Sequence, residues 1–127
     1  MRGALQSFAS LTLFQKLTLI ALVIYAAILG YATLLPAQEV PTVNVWDKAL
    51  HFAAYMNFML LTLPLSTTRR ALWRGFWLIV AFGAAGELLQ ELSPGRQASA
   101  MDLVANALGA LTAYIIGRWG FQIGKTS

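Results

Sequence analysis

The sequence predicts an all-α membrane protein, folded as a bundle of four transmembrane helices in a single domain that covers residues 1–127. Three observations predict this class. Hydrophobic residues make up 58% of the 127 residues and charged residues only 11%, with a mean hydropathy of +0.65. An ordinary soluble domain carries roughly 25% charged residues, so this chain cannot coat a globule with water-compatible surface. Long apolar segments also recur four times, and the basic residues concentrate in alternate connections between them.

Each predicted span approaches the length of about 20 apolar residues that a membrane-crossing helix needs. The four spans cover residues 17–35, 49–65, 71–89 and 101–119. Residues 8–14 either begin the first span or lie along the membrane interface. Pro36 and Pro41 bracket the first loop, residues 66–70 form a polar turn, and the Ser-Pro-Gly-Arg run at 93–96 interrupts the helical pattern. The first span exceeds the apolar core of about 7–15 residues of a signal peptide, so we expect it to be retained.

The distribution of basic residues predicts the orientation in the membrane. With four spans, the N-terminus, the turn at 66–70 and the C-terminus lie on one side, which then holds seven of the nine basic residues. These seven are Arg2, Lys16, Arg69, Arg70, Arg74, Arg118 and Lys125, and the other side holds Lys48 and Arg96. Basic residues favour the cytoplasmic side, so we predict a multi-pass protein of the cell membrane with both termini in the cytoplasm. The acidic residues, which all fall towards the outer side, are Glu39, Asp47, Glu87, Glu91 and Asp102.

The composition also limits the chemistry. The chain has no cysteine, which excludes disulfides and thiolate metal sites, and a single histidine, His51, which argues against an ordinary zinc site. The net charge of +4 is not gathered into a dense basic patch on a soluble fold, so we predict no nucleic-acid partner. The tryptophans lie mostly near predicted span ends, as in the aromatic belt of a membrane protein.

Polar residues collect at the outer ends of three predicted helices. The residues at helical spacing are Asp47, His51 and Tyr55 on the second span, Glu87, Gln90 and Glu91 on the third, and Asp102 and Asn106 on the fourth. His51, Glu87 and Asn106 lie about one helical turn inside the apolar zone, where unpaired polar groups are costly. We therefore predict that these three turn inward and line a polar pocket that opens to the outside. For the residues closest to helix ends, contact with water is as good an interpretation as a place in the pocket. These residues are Asp47, Lys48, Glu91 and Arg96.

Small residues on the fourth span predict close helix packing. Ala105, Gly109, Ala113 and Gly117 are spaced by four, and small side chains let helix backbones approach each other in lipid. We expect this helix to lie centrally in the bundle. Ser93 and Ser99 are interpreted as turn and cap residues rather than as nucleophiles.

Several runs in combination resemble the VanZ-like family. They are Asp47-Lys48-Ala49-Leu50-His51-Phe52-Ala53-Ala54-Tyr55, Gly86-Glu87-Leu88-Leu89-Gln90-Glu91, Pro94-Gly95-Arg96, and then Asp102, Asn106 and Gly109 at their present spacing. The resemblance covers about residues 45–117, and the combined pattern is specific although each run alone would be weak. It maps the polar positions of the family onto Asp47, Lys48, His51, Glu87, Gln90, Arg96, Asp102 and Asn106. A family named for a protein linked to teicoplanin resistance implies a membrane protein of the cell envelope.

Two functions follow from these residues, and the sequence does not separate them. In the first, the protein is an enzyme acting on a membrane-bound substrate at the outer leaflet. The catalytic candidates are His51, Asp47, Glu87 and Asp102, because histidine titrates near neutral pH and a carboxylate can orient it. The substrate-binding candidates are Lys48, Gln90, Arg96 and Asn106. Lys48 and Arg96 are suited to a phosphate or carboxylate. Oxygen ligands from Asp47, Glu87 and Asp102 also suit a divalent cation, but the sequence identifies no metal or cofactor.

In the second function, the protein is not catalytic and binds a lipid or antibiotic head group, or modulates the envelope. Under either function the expected partners are the lipid bilayer and a lipid-linked or anionic head group. The sequence leaves open whether the protein forms a homo-oligomer. A monomeric transporter is disfavoured, because four helices leave little room for alternating access and the sequence shows no inverted repeat.

Overall fold

All regular structure in the described part of the chain is helical. The structure, a computed structural model, describes residues 2–36 and 44–126. Its helices are α1 (Arg2–Ala9), α2 (Leu13–Thr33), α3 (Asn44–Thr62), α4 (Arg69–Gln90) and α5 (Ala100–Thr126), with a 3₁₀ turn at Leu63–Leu65. Three of them are long and apolar enough to cross a membrane, namely α2, α4 and the Ala100–Gly120 part of α5. The prediction of an all-helical, membrane-embedded protein is confirmed at this level, whereas α3 is not among these three.

Capping explains why α2 begins earlier than predicted. The predicted span starts at residue 17, but α2 starts at Leu13. The Thr12 hydroxyl accepts a hydrogen bond from the N–H of Gln15 (3.1 Å), and the Gln15 side chain accepts one from the N–H of Thr12 (3.0 Å). This reciprocal pair satisfies two N–H groups at the start of the helix. Residues 8–14 therefore divide between the end of α1, a break and the start of α2.

The connection between α3 and α4 also differs from the prediction. α3 ends at Thr62 rather than at residue 65, because Pro64 lacks the N–H that would continue α-helical bonding. α4 starts at Arg69, within the predicted polar turn, because Thr68 caps it by accepting a hydrogen bond from the N–H of Ala71 (3.0 Å). Residues 37–43 of the predicted first loop, with Glu39 and Pro41, lie outside the described residues, as does the side chain of Trp46.

α5 packs closely along α3. The two helices run parallel, since Gly109 lies against Phe52 and Gly117 lies against Leu63. A Cβ at position 109 would collide with the Phe52 carbonyl oxygen, and one at position 117 would come within 2.7 Å of Leu63 Cδ2. The prediction that small residues permit close packing of this helix is confirmed. The buried core comprises Tyr55, Phe58 and Met59 of α3, Leu72, Phe76 and Ile79 of α4, and Ala110, Ala113 and Tyr114 of α5.

α2 lies at the edge of this core. Among its residues only Thr18 is buried, and α2 joins the core through partly buried side chains such as Leu22 and Leu29. The Tyr25 hydroxyl donates a hydrogen bond to the carbonyl oxygen of Ala54 (2.6 Å), which ties α2 to α3. The remaining exposed surface of α2 is mostly apolar, as contact with lipid requires.

Candidate functional site

The start of α3, the end of α4 and the start of α5 meet at one end of the molecule. Contacts between Lys48 and Asp102 and between His51 and Glu87 join the three helix ends. Residues three or four apart on each helix face the same neighbours, which is why sequence spacing could predict this meeting point. The structure brings together all eight candidate residues, which are Asp47, Lys48, His51, Glu87, Gln90, Arg96, Asp102 and Asn106.

His51 lies at the centre of the cluster. Its Nδ1 is 2.9 Å from Oδ1 of Asn106, a side chain only 2% exposed. Because the Asn106 oxygen can only accept, this contact places the proton of a neutral imidazole on Nδ1. The lone pair of Nε2 then points towards two carboxylates, 3.8 Å from Oδ1 of Asp47 and 3.7 Å from Oδ2 of Asp102. Nε2 is therefore placed to accept a proton or to bind a cation.

Lys48 neutralises much of the negative charge beside His51. Its Nζ contacts Oδ1 of the buried Asp102 and lies 3.6 Å from Oδ2 of Asp47. Lys48 and Asp47 are partly exposed, so this edge of the cluster faces the surroundings while Asp102 is shielded behind it.

Glu87 occupies the inner side of the cluster. It is 5% exposed, its Oε2 accepts a hydrogen bond from the N–H of Ser99 (3.1 Å), and its Oε1 is 4.0 Å from His51 Nδ1. The orientation of the Gln90 amide that satisfies both of its neighbours lets it donate to Glu87 Oε2 (3.2 Å) and accept from Arg96 (2.8 Å). The buried carboxylate is thus held by hydrogen bonds rather than by a direct ion pair.

Arg96 links the cluster to the end of another helix. It donates a hydrogen bond to Gln90, and also donates to the carbonyl oxygens of Ala32 (3.3 Å) and Leu35 (3.4 Å). These carbonyls lie at the C-terminal end of α2, where backbone acceptors lack helical partners and attract cations. Arg96 therefore joins the polar cluster to α2, a helix that sequence reasoning did not connect with the site.

Further residues of the site went unrecognised in the sequence. Ser99 was expected to be a cap, and its hydroxyl does accept from the N–H of Asp102 (3.2 Å), but its own N–H also holds Glu87. Ser93 was expected in a turn, and its hydroxyl also donates to the Leu34 carbonyl oxygen (2.9 Å). Both added bonds involve the backbone, which carries no sequence signal. Glu91 is exposed and lies apart from the cluster, which agrees with its interpretation as a residue that contacts water.

A cavity of about 300 Å³ opens beside the cluster. Its polar lining residues include His51, Glu87 and Arg96. Its apolar lining residues come from α2, the segment after it and α3, and they are Leu29, Ala32, Leu35, Leu50 and Ala54. The Leu50 side chain is 62% exposed, so the apolar lining of the cavity continues onto the surface of the molecule. A volume near the lower end of the range for ligand sites, about 300–1,000 Å³, suits a head group rather than a whole lipid.

Three side chains have the spacing of an ion site. Asp47, His51 and Asp102 each offer one ligand atom, and these atoms lie within 4.8 Å of one another. Two carboxylates and an imidazole suit a divalent transition metal such as Mn²⁺. The expected set contained Glu87 in place of His51, but Glu87 lies on the Nδ1 side of the ring, away from the other two carboxylates. The Lys48 ammonium contacts both of those carboxylates and would compete with an ion.

Comparison with known proteins identifies a family. A family model described as VanZ/LLP1 matches residues 3–121, which include α2, α3 and α4 in full, most of α1 and α5, and every residue of the cluster. No curated protein and no solved structure matches the chain. The match agrees with the resemblance seen in the sequence runs around Asp47, Glu87 and Asp102.

Proposed function

Because the chain belongs to the VanZ/LLP1 family, we propose that it is a single-domain, multi-pass membrane protein that binds an anionic lipid-linked head group in an outward-facing pocket. The head group would belong to a phospholipid or to a cell-envelope precursor. The link to the cell envelope and to glycopeptide resistance, which the VanZ name suggests, forms part of this proposal.

Four spans follow if α3 crosses the membrane with α5. α3 contains 19 residues and is therefore about 28 Å long, close to the thickness of about 30 Å of the hydrocarbon core. It lies parallel to α5, which contacts Phe52 of α3 and Leu63 just after the end of α3. With four spans, the excess of basic residues near the termini and the 66–70 turn supports an orientation in which both termini lie in the cytoplasm and the cluster lies on the outer side of the membrane.

The observation that carries the head-group proposal is the cavity lined by both polar and apolar side chains. An amphiphile at the membrane interface could place its charged group against Arg96 while its first methylenes contact Leu29 and Leu50. The Arg96 guanidinium suits phosphate or carboxylate oxygens, and Lys48 adds a second positive charge at the exposed edge of the cluster. Neither a purely apolar ligand nor a free sugar would use both kinds of lining residue.

The geometry of His51 favours a second function, acid–base catalysis on the same ligand. The Asn106 oxygen holds the proton on Nδ1 and leaves Nε2 free to accept a proton beside Asp47 and Asp102. A buried carboxylate at Glu87, on the other side of the ring, could orient the imidazole or share its proton. Catalysis would need a substrate bond placed close to Nε2.

Native mass spectrometry of the purified full chain tests head-group binding. In mixed micelles of phosphatidylglycerol and phosphatidylcholine, we expect retention of the anionic lipid. Arg96→Ala should weaken this retention about tenfold or more, since a charge-assisted hydrogen bond contributes roughly 1.5–3 kcal/mol. Arg118→Ala is the control, because Arg118 is exposed near the other end of α5. Equal retention of both lipids, or equal effects of the two substitutions, would contradict the proposal.

Turnover separates the two functions. Purified wild-type protein and His51→Gln are incubated with candidate lipid-linked precursors, with and without Mn²⁺, and the lipids are analysed for products. A product that forms with the wild-type protein and not with His51→Gln indicates an enzyme. Saturable binding without product indicates a binding protein.

A further inference from the structure

One polar residue, Asn57, lies on the side of α3 that faces away from the bundle. The residue is exposed, and at about 100° per residue it shares a side of the helix with the exposed Leu50. Met59, which is fully buried, points to the opposite side. The hydrogen bonds among the described residues include Tyr25, His51 and Thr62 around α3 but not the Asn57 amide. The amide is therefore directed away from the rest of the described chain.

Asn57 also lies near the middle of its helix. A rise of about 1.5 Å per residue puts it about 15 Å from Asp47 along the axis and about 8 Å from Thr62, the last residue of α3. In the four-span topology this depth is close to the centre of the hydrocarbon layer. Lipid tails offer neither donors nor acceptors, so an amide facing them keeps an unsatisfied polar group in an apolar medium.

We propose that the side of α3 that faces away from the bundle, centred on Asn57, is the contact surface for a second copy of this chain. The proposal rests on α3 crossing the membrane, as in the proposed function, but not on the ligand of the cavity. A primary amide carries both a donor and an acceptor, so two copies related by a two-fold axis can exchange hydrogen bonds between their Asn57 side chains. The two Asn57 amides then satisfy each other's hydrogen-bonding groups, and no partner of another kind is needed.

The surroundings of Asn57 permit this contact. Ala49 and Ala53 precede it at a spacing of four, and their small side chains let two α3 helices approach along one strip. No Lys, Arg, Asp or Glu occurs between Lys48 and Arg69, so no like charges oppose the pairing of identical faces. Leu50 and Leu61 flank the strip and supply apolar contact area.

Cysteine cross-linking of the reconstituted full chain tests the surface. The chain has no cysteine of its own, so a single introduced thiol reports without background. In liposomes of phosphatidylcholine and phosphatidylglycerol, Ala53→Cys should form a disulfide-linked dimer on oxidation. Leu108→Cys is the matched control, because Leu108 is 50% exposed on α5 rather than α3; it should stay largely monomeric.

A second measurement asks whether Asn57 drives the association. Energy transfer between labelled copies, measured at decreasing protein-to-lipid ratios, gives the dimer dissociation constant. Asn57→Leu should raise this constant about tenfold, whereas Asn57→Gln, which retains an amide, should keep it near the wild-type value. Leucine suits a lipid-facing helix, so Asn57→Leu is expected to fold, and Leu78→Ala on the exposed face of α4 serves as the neutral control.

The outcomes distinguish this surface from the cavity. Equal cross-linking at positions 53 and 108, or energy transfer that Asn57→Leu leaves unchanged, would overturn the proposal. An Asn57→Leu protein that dissociates and still retains phosphatidylglycerol would support the α3 contact and show that head-group binding does not depend on it. Labelling of Asn57→Cys by an impermeant thiol reagent would place α3 in water and overturn both the contact and the four-span topology.

Discussion

Replacing Gly109 by leucine should force α3 and α5 apart. A Cβ at this position overlaps the Phe52 carbonyl oxygen and comes within 3.0 Å of the Met56 nitrogen. Both atoms belong to the backbone, so no side-chain rotation relieves the clash and the helices must separate. Ala110 and Ala113, which are fully buried, then lose contacts. Overpacking alone costs about 1–3 kcal/mol, and lost packing adds to it, so we expect a destabilisation of about 3–5 kcal/mol.

Thermal unfolding of the purified protein in detergent measures this effect. At roughly 3–4 °C per kcal/mol for a chain of this size, the Tm should fall by about 9–20 °C. Gly30→Leu is the matched control, because nothing lies within 4 Å of a Cβ at that position of α2. Its Tm should stay the same or rise, since glycine is a poor helix former. Wild-type melting of Gly109→Leu, or an equal loss in Gly30→Leu, would refute the close packing of α5 against α3.

Three further predictions concern orientation, the tie between α2 and α3, and the Lys48 contact. A cysteine at Gln97 should react with an impermeant thiol reagent in intact cells and one at Thr67 should not; the reverse pattern would contradict the orientation. Tyr25→Phe removes the 2.6 Å hydrogen bond to the Ala54 carbonyl and should lower the free energy of unfolding by about 1 kcal/mol in thermal melts, whereas an unchanged melt would mean that this bond does not hold α2. In a double-mutant cycle, Asp102→Asn and Lys48→Met should couple by about 1 kcal/mol, a small value because Lys48 is partly exposed; a coupling near zero would show that the pair is not formed.

The sequence was sufficient to predict the polar cluster because the physical constraint on it is strong. A carboxylate such as Glu87 inside an apolar segment must find partners, and helical spacing leaves few directions in which to find them. Gly109 could be recognised for a similar reason, since small residues repeated every four positions have a specific use in lipid. In both cases the residue type itself carries the information.

The rest of the site could not be predicted because it depends on backbone groups and on the placement of α2. Arg96 reaches the carbonyls of Ala32 and Leu35, and every residue offers such a carbonyl. The N–H of Ser99 that donates to Glu87 is likewise a backbone group, which the residue type does not distinguish. The early start of α2 is different, because it depends on Thr12 and Gln15, a capping pattern that the sequence does contain.

The charge balance of the cluster predicts opposite responses for an anionic head group and for a metal ion. Three carboxylates, those of Asp47, Glu87 and Asp102, surround His51, and two cations, Lys48 and Arg96, offset them. With a neutral imidazole these groups leave one negative charge in excess, so the proposed head group would bind against Arg96 rather than beside Asp47 and Asp102, which suit a cation. Removing one carboxylate charge shifts the balance towards an anion, so Asp47→Asn should strengthen head-group retention, whereas a divalent ion loses a ligand and should bind less tightly. Measuring retention of phosphatidylglycerol and binding of Mn²⁺ in the wild-type protein and in Asp47→Asn gives changes of opposite sign. Head-group retention that weakens in Asp47→Asn would contradict binding of an anion at this cluster.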